Sequence, residues 1–155
     1  MGRREYVDDP SAPHPNRIVP AATAFVQDEQ DRVLMIQRSD NGLWALPGGT
    51  QDLGESIRTT AEREVFEETG YRVEVTDIIG VYSDPGHVIA YDDGEVRQQF
   101  AISLRADLRG GSLATSAEST SVRWVPLNEL ADADVSAATR MRLDHALSRS
   151  TPYIG

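Results

Sequence analysis

Four glutamates lie within seven residues of one another, and a single arginine lies among them. The group consists of Glu62, Glu64, Glu67 and Glu68, with Arg63 between the first two. On a helix, like charges one turn apart repel and destabilise the helix by about 0.2–0.5 kcal/mol per pair. Such carboxylates could instead share a small divalent cation, since oxygen ligands are what these ions prefer. The spacing therefore indicates metal binding as a candidate chemistry.

The position of these carboxylates on a helical wheel separates two interpretations. The apolar stripe of the helix consists of Ile57, Ala61 and Val65. With residues set about 100° apart, Glu64 and Glu67 fall on the shoulder of that stripe and Glu68 falls inside it. A solvated acidic face is the common explanation of such a run. However, an inward carboxylate needs compensation, because burying it unpaired is costly. One arginine cannot compensate three carboxylates, whereas a bound cation can.

The composition restricts both the cation and the cellular location. The chain has no cysteine and only three histidines. The ligands would therefore be oxygen atoms, which favours Mg²⁺ or Mn²⁺ over zinc. The absence of cysteine also excludes disulfides and thiol catalysis. Because the N-terminus lacks the apolar segment of a signal peptide, we expect a cytoplasmic protein. No apolar run approaches the length of a membrane span, so no membrane partner is expected.

The net charge of −10 disfavours one class of ligand. Long nucleic acids need clustered lysine and arginine, so we expect no long nucleic acid as a partner. A small nucleotide substrate is compatible with this charge, because a divalent cation between carboxylates and phosphates makes the pairing favourable.

The elements around the acidic run predict an α+β domain. A helix is predicted over residues 55–69, which contain no glycine or proline, and Gly70 follows where a helix end favours glycine. A second helix is predicted at about residues 134–148. Strand-like segments lie at residues 17–27, 32–38, 71–83, 87–91, 96–108 and 121–127. This order predicts a mixed β-sheet between helices.

The length of 155 residues suits one domain with a hydrophobic core. We assign that domain to residues 17–155. Residues 1–16 are rich in proline and are predicted to form a flexible or partner-dependent arm. The arm and the edge strands of the sheet leave a homodimer open.

The stretch from Gly49 to Tyr71 resembles the Nudix box, which fixes nine positions over 23 residues. The matching positions are Gly49, Glu55, Arg63, Glu64, Val65, Glu67, Glu68, Gly70 and Tyr71. Only Tyr71 departs from the pattern, since the family usually has Ile, Leu or Val there. Tyrosine is a good strand residue, so we expect little consequence. So many positions at fixed spacing make a specific signal.

The resemblance implies a fold and a reaction. The fold would be a Nudix-type α/β/α sandwich. The reaction would be Mg²⁺- or Mn²⁺-dependent hydrolysis of a nucleoside diphosphate linked to another group, X. By the same resemblance, Glu64, Glu67 and Glu68 would bind the metal, with the main chain at Gly48 and Gly49 close by.

The resemblance also implies roles in positioning and proton transfer. Arg63 and Glu55 would position the loop and the helix through an ion pair. Glu67 is the favoured general base and Glu64 the next candidate, because the base differs between branches of the family.

Residues outside the box are further candidates for contacts with the metal or the substrate. Glu118 is either an additional metal ligand or a surface-loop residue. Arg38 could contact a phosphate, Trp44 could stack on a base although core packing is more frequent, and Glu95 could reach the site from an acidic turn. A structural role is favoured for His87.

The position of Pro85 helps to choose between substrate classes. It lies fourteen residues after Tyr71, and members of the family acting on ADP-ribose tend to have a proline at about fifteen. We therefore favour ADP-ribose or a sugar nucleotide. The alternatives are a (d)NTP pyrophosphohydrolase acting on oxidised nucleotides and a catalytically silent nucleotide sensor. The intact set of box carboxylates disfavours the sensor.

Overall fold

The computed structural model describes residues 2–117, 119–149 and 151–155 of the chain. Helices lie on both faces of one large mixed sheet. The helices are α1 (Ile57–Thr69), α2 (Leu127–Leu130) and α3 (Ala137–Ser148). The strands are β1 (Arg3–Val7), β2 (Arg17–Gln27), β3 (Val33–Arg38), β4 (Trp44–Ala45), β5 (Gly48–Thr50), β6 (Tyr71–Tyr82), β7 (His87–Tyr91), β8 (Val96–Gly111), β9 (Ser119–Val125) and β10 (Tyr153–Ile154).

The sheet combines parallel and antiparallel pairing around two long strands. Strand β2 runs parallel to β8 along its whole length, from Arg17 opposite Arg97 to Gln27 opposite Asp107. Strand β8 also pairs antiparallel with β6 and β7, while β2 pairs antiparallel with β5. Strand β3 joins β4 and β9. The predicted mixed sheet is therefore confirmed.

The two faces of the sheet carry separate hydrophobic cores. Ala61 and Val65 of α1 pack against one face, which includes Ala24 of β2. Leu130 of α2 and Leu143 of α3 pack, together with Phe25 of β2, in the cluster on the opposite face. Neighbouring residues of β2 thus pack into opposite cores, because side chains alternate between the two faces along a strand. This arrangement confirms the predicted α/β/α sandwich.

Local capping explains where the acidic helix begins and ends. The Ser56 hydroxyl accepts a hydrogen bond from the Thr59 amide, so the helix begins at Ile57, two residues later than the predicted start at residue 55. Gly70 has φ 80° and donates its amide to the Phe66 carbonyl. This left-handed conformation favours glycine, as the sequence predicted. Similarly, Ser136 caps α3, which begins at Ala137 rather than near residue 134.

The N-terminal segment differs from the predicted flexible arm over residues 1–16. Arg3–Val7 form strand β1, which pairs antiparallel with β7, so that Tyr6 lies opposite Val88. The three prolines on which the prediction rested, at positions 10, 13 and 15, all follow this strand and so leave its pairing intact. In the described chain, no helix is long and apolar enough to cross a membrane.

Candidate active site

Two glycines bring strand β5 close to both β2 and the acidic helix. Gly49 lies opposite Ala22 of β2 in an antiparallel pair. A Cβ atom added at Gly48 would collide with the Ala22 carbonyl, and one added at Gly49 would collide with the Glu64 carboxylate. Only glycine allows both close approaches. The Gly-Gly pair therefore fixes the distance between the sheet and the carboxylates of α1.

Arg63 connects three carboxylates of the box. Its Nε donates to Glu55 Oε1 at 2.5 Å, and its Nη1 donates to Glu64 Oε1 at 2.9 Å and to Glu67 Oε2 at 3.1 Å. Its Nη2 donates to the Thr50 carbonyl at 3.1 Å and to the second oxygen of Glu55. The guanidinium thus ties the connection after β5 to the middle of α1 through charge-assisted hydrogen bonds.

The Arg63–Glu55 pair has a clear effect on protonation. The hydrogen bond from Arg63 lowers the pKa of Glu55 to about 2, and bonds from the Asp52 amide and the Thr60 hydroxyl act in the same direction. The same pair raises the pKa of Arg63 above its usual value. Both groups are therefore charged at neutral pH.

The three candidate metal ligands on α1 differ in exposure. Glu68 is 5% exposed, and its Oε1 accepts a hydrogen bond from the Gly48 amide at 2.8 Å. The side chain of Glu64 is 13% exposed, whereas that of Glu67 is 55% exposed. The helical wheel placed Glu68 correctly inside the packed face. Glu67 lies further out than the predicted shoulder, since its long side chain extends to Arg63 at the helix surface.

The carboxylates suit a cation chemically, although here they surround Arg63. Among the described residues, no three acidic or histidine side chains converge closely enough to form a ready metal site. Glu64 and Glu67 nevertheless accept hydrogen bonds from the same nitrogen, so their oxygen atoms are neighbours around one positive charge. The ligands are all oxygen, and the lack of a side chain at Gly49 lets the Glu64 carboxylate lie directly against the main chain of β5. These residues therefore fit an oxygen-seeking divalent ion.

A cavity of about 340 Å³ opens beside these groups. Gly48, Gly49 and Glu64 contribute to its wall. The positively charged residues in its lining are Arg3, Arg38, Arg97 and Arg142. Four arginines around one cavity of an acidic protein indicate an anionic ligand. Arg38, the predicted phosphate contact, lines this cavity, and its contact with a phosphate stays a prediction.

Three of these arginines have carboxylate partners, and Arg3 has its Nε 3.4 Å from Asp40. Arg38 donates two hydrogen bonds to Asp40, at 2.9 and 2.8 Å. Arg97 donates to Glu95 at 2.8 Å and lies over the ring of Tyr91. Glu95 does not line the cavity, so it is linked to the cavity only through Arg97. The predicted contact of Glu95 with the substrate stays a prediction.

The remaining predicted residues lie in different places. Trp44 lines the cavity and also packs against the core of α2 and α3, so base stacking by this side chain stays a prediction. Pro85 is exposed in the turn between β6 and β7 and is not part of the cavity lining. Glu118 lies outside the described residues. Tyr71 begins β6, and its hydroxyl accepts a hydrogen bond from Trp124 at 3.1 Å.

Sequence reasoning missed one side of the cavity. Arg3 and Glu5 come from β1, Arg97 from β8 and Arg142 from α3. Glu5 shares a 2.5 Å hydrogen bond with His87 Nε2, and this bond lowers the pKa of Glu5. No motif marks these residues, because they come from elements far apart in the chain; the pairing of β1 with β7, for example, places Glu5 opposite Ile89.

The α/β/α sandwich, with its acidic helix beside a Gly-Gly strand, defines a nucleotide-hydrolase type of domain. The family model described as "NUDIX domain" matches residues 17–145. The chain therefore belongs to the Nudix family of pyrophosphohydrolases.

The similar proteins carry names that point to different substrates or to none. A "MutT-like protein" of Streptomyces ambofaciens is 38% identical over 136 residues, covering 86% of this chain and 80% of that protein. An "ADP-ribose pyrophosphatase" of Methanocaldococcus jannaschii is 32% identical, covering 66% of this chain and 59% of that protein. A "Nucleoside triphosphatase" of an Enterobacter species is 30% identical, covering 76% and 88%. The relatives therefore establish the enzyme class and leave the substrate undetermined.

A solved structure supports the fold. The crystal structure of an ADP-ribose pyrophosphatase from Streptococcus suis aligns with a TM-score of 0.68, covering 90% of this chain and 100% of that chain. The two sequences are 22% identical, so this likeness concerns the fold alone.

Proposed function

We propose that the chain is a Mg²⁺-dependent hydrolase that cleaves the pyrophosphate linkage of a nucleoside diphosphate derivative, with ADP-ribose or a sugar nucleotide favoured. One observation carries the proposal. The same cavity is lined by the Gly-Gly strand, by Glu64 and by four arginines. A linkage with two negative charges can thus lie against the arginines while its phosphorus atoms face the carboxylates.

The carboxylates of α1 have the metal-binding role in this proposal. Glu64, Glu67 and Glu68 would hold the cation, together with the main chain at Gly48 and Gly49. When bound, the ion neutralises charge on the bridging phosphates and makes water a better nucleophile. Glu118 remains a candidate further ligand.

Side chains of the protein transfer the proton and orient the substrate and the carboxylates. Glu67, the most exposed of the three carboxylates, takes the proton from the attacking water, and Glu64 is the second candidate. The water oxygen bonds to one phosphorus, the bridging P–O bond breaks, and the bridging oxygen leaves on the other phosphate. Arg63 and Glu55 hold α1 and the preceding loop in register, and Arg38 binds phosphate oxygens. Trp44 stacks on the base.

Fewer observations support the choice of substrate than support the class of reaction. A relative named as an ADP-ribose pyrophosphatase supports the favoured substrate. Pro85, which motivated the same choice, is exposed outside the cavity and adds no support. A relative named as a nucleoside triphosphatase supports the second candidate, a (d)NTP pyrophosphohydrolase.

A product assay with Mg²⁺ over a panel of nucleotides tests the proposal. AMP plus ribose 5-phosphate is expected from ADP-ribose. A nucleoside monophosphate plus pyrophosphate would instead indicate triphosphates. Binding without turnover of any compound in the panel would contradict the hydrolase and favour a silent nucleotide sensor.

A further inference from the structure

Arg142 is a buried cation whose charge is poorly compensated. It lies on α3 with 8% of its surface exposed, and it lines the cavity. Its Nε is buried and has no hydrogen-bond partner in the part of the chain that the structure describes. The guanidinium lies over the ring of Tyr82, 5.1 Å from the ring centroid. Burial lowers the pKa of Arg142 from its usual value.

The groups around Arg142 are committed elsewhere. Glu5 is hydrogen-bonded to His87 at 2.5 Å and lies 3.9 Å from Arg3, so its charge is already shared. The Tyr82 hydroxyl shares a hydrogen bond with His145 Nδ1 at 2.7 Å. Burying a guanidinium is costly unless it is paired and hydrogen-bonded. The other three cavity arginines form ion pairs with carboxylates, whereas Arg142 has the face of Tyr82 and only the longer-range attraction of Glu5.

We propose that Arg142, flanked by Arg3 and His87, forms a subsite that binds an anionic group on moiety X of the substrate. The group is a carboxylate or a phosphate monoester, because the planar fork of a guanidinium matches both with paired hydrogen bonds. The subsite deepens the proposed function and rests on it for the assignment of the ligand as a substrate.

The position of Arg142 assigns this anion to X rather than to the cleaved linkage or the base. Glu64 belongs to α1 on one face of the sheet, whereas Arg142 belongs to α3, which packs on the other face. Both residues line the same cavity, although their helices pack on opposite faces of the sheet. The common nucleobases are neutral at pH 7, so only X can bring a second anion. Of the two substrate classes favoured above, the subsite thus supports sugar nucleotides with an acidic sugar over ADP-ribose, whose terminal ribose is neutral.

A direct measurement of anion binding uses inorganic phosphate as the probe. The Nε–H signals of the arginines are followed by ¹H–¹⁵N NMR, and the Arg142 signal is assigned from its loss in Arg142→Gln. Saturable movement of this signal on addition of phosphate is expected, whereas the exposed Arg123 on β9 serves as the internal comparison. A signal of Arg142 that stays in place, or moves only in step with that of Arg123, overturns the subsite.

A matched pair of substrates tests the assignment to X. UDP-glucuronate and UDP-glucose differ by a carboxylate in place of a hydroxymethyl group. The wild type is expected to show a KM about 10- to 100-fold lower for UDP-glucuronate, the range for a charged hydrogen bond. Arg142→Gln should remove this preference, Arg142→Lys should keep part of it, and Arg123→Gln should leave it unchanged. Equal KM values in the wild type overturn the assignment.

The two measurements separate this inference from the proposed function. A phosphate-dependent shift of Arg142 without hydrolysis of any nucleotide supports the subsite and contradicts the hydrolase. Hydrolysis without the shift supports the hydrolase and contradicts the subsite.

Discussion

Arg63 provides the charge around which the carboxylates of α1 are arranged. It bonds to Glu55, Glu64 and Glu67, while Glu68 turns away to the Gly48 amide. A single guanidinium therefore limits the repulsion that the sequence alone suggested. The side chains that would hold a cation are thereby kept close together before any cation binds.

Replacing Glu67 by glutamine tests the general base. The amide keeps the size of the side chain but cannot take a proton, so kcat is expected to fall by about 10²- to 10⁴-fold. Steady-state rates with Mg²⁺ measure the effect, and circular dichroism checks the fold. Glu62→Gln, the same change on the same helix at a position outside the box pattern, should leave kcat within about twofold, as expected for a residue without a catalytic proton to move. A near wild-type rate for the Glu67 variant would remove this residue from the role.

The two glycines of β5 should respond differently to alanine. In Gly49→Ala the new methyl group meets the mobile end of Glu64, so the fold should survive while misplacement of the carboxylate lowers kcat on the order of 100-fold. In Gly48→Ala the methyl group meets the backbone of β2, which cannot move easily, so stability should fall by about 1–3 kcal/mol. Thermal melts and rates on both variants provide the comparison. Equal losses of stability in both would contradict it.

Secondary-structure elements differ in how well the sequence predicts them. Helix α1 was predictable because its signals are local: the apolar stripe, the box spacing and Gly70 at its end. Strand β1 was not, since its five residues become a strand only by pairing with β7 far along the chain. The carboxylates of the site followed from one motif, whereas Arg3, Arg97 and Arg142 come from three separate elements. The positions of these three arginines therefore depend on tertiary contacts that no local pattern encodes.

The stability of the fold should depend on pH through the ion pair that Glu55, in the connection between β5 and α1, forms with Arg63. The pKa of Glu55 is about 2 in the folded protein against an ordinary value of 4.5, so the ionised form favours folding. Its stabilising contribution is present above pH 4.5 and is lost as the pH falls towards 2. The Tm of the wild type should therefore fall more steeply between pH 5 and pH 3 than the Tm of Glu55→Gln. Parallel curves for the two proteins would show that the Arg63 pair does not act in this way.

At the scale of the whole molecule, the cavity carries a concentration of positive charge although the net charge of the chain is negative. The chain carries −10 in total, yet its cavity gathers four arginines. An acidic surface repels polyanions, while a local cationic wall still attracts a small phosphorylated ligand at short range, because salt screens charges beyond about 10 Å. This distribution fits a small nucleotide better than a long nucleic acid.

Divalent cations should stabilise the whole fold if α1 is their site. A ligand that binds only the folded state adds about 2.7 kcal/mol at 100 times its Kd. For a chain of this size that corresponds to a rise in Tm of about 5–10 °C, because each kcal/mol shifts Tm by about 2–4 °C. Melting curves with and without Mg²⁺, at ionic strength matched with NaCl, separate binding from screening.

The variants locate the effect of the cation. Glu64→Gln and Glu67→Gln should each lose most of the rise in Tm, whereas Glu62→Gln should keep it, since only the first two carboxylates lie together around Arg63. A rise of the same size in all three variants would place the ion elsewhere on the acidic surface. An unchanged Tm of the wild type at saturating Mg²⁺ would mean that Arg63 alone balances the carboxylates of α1.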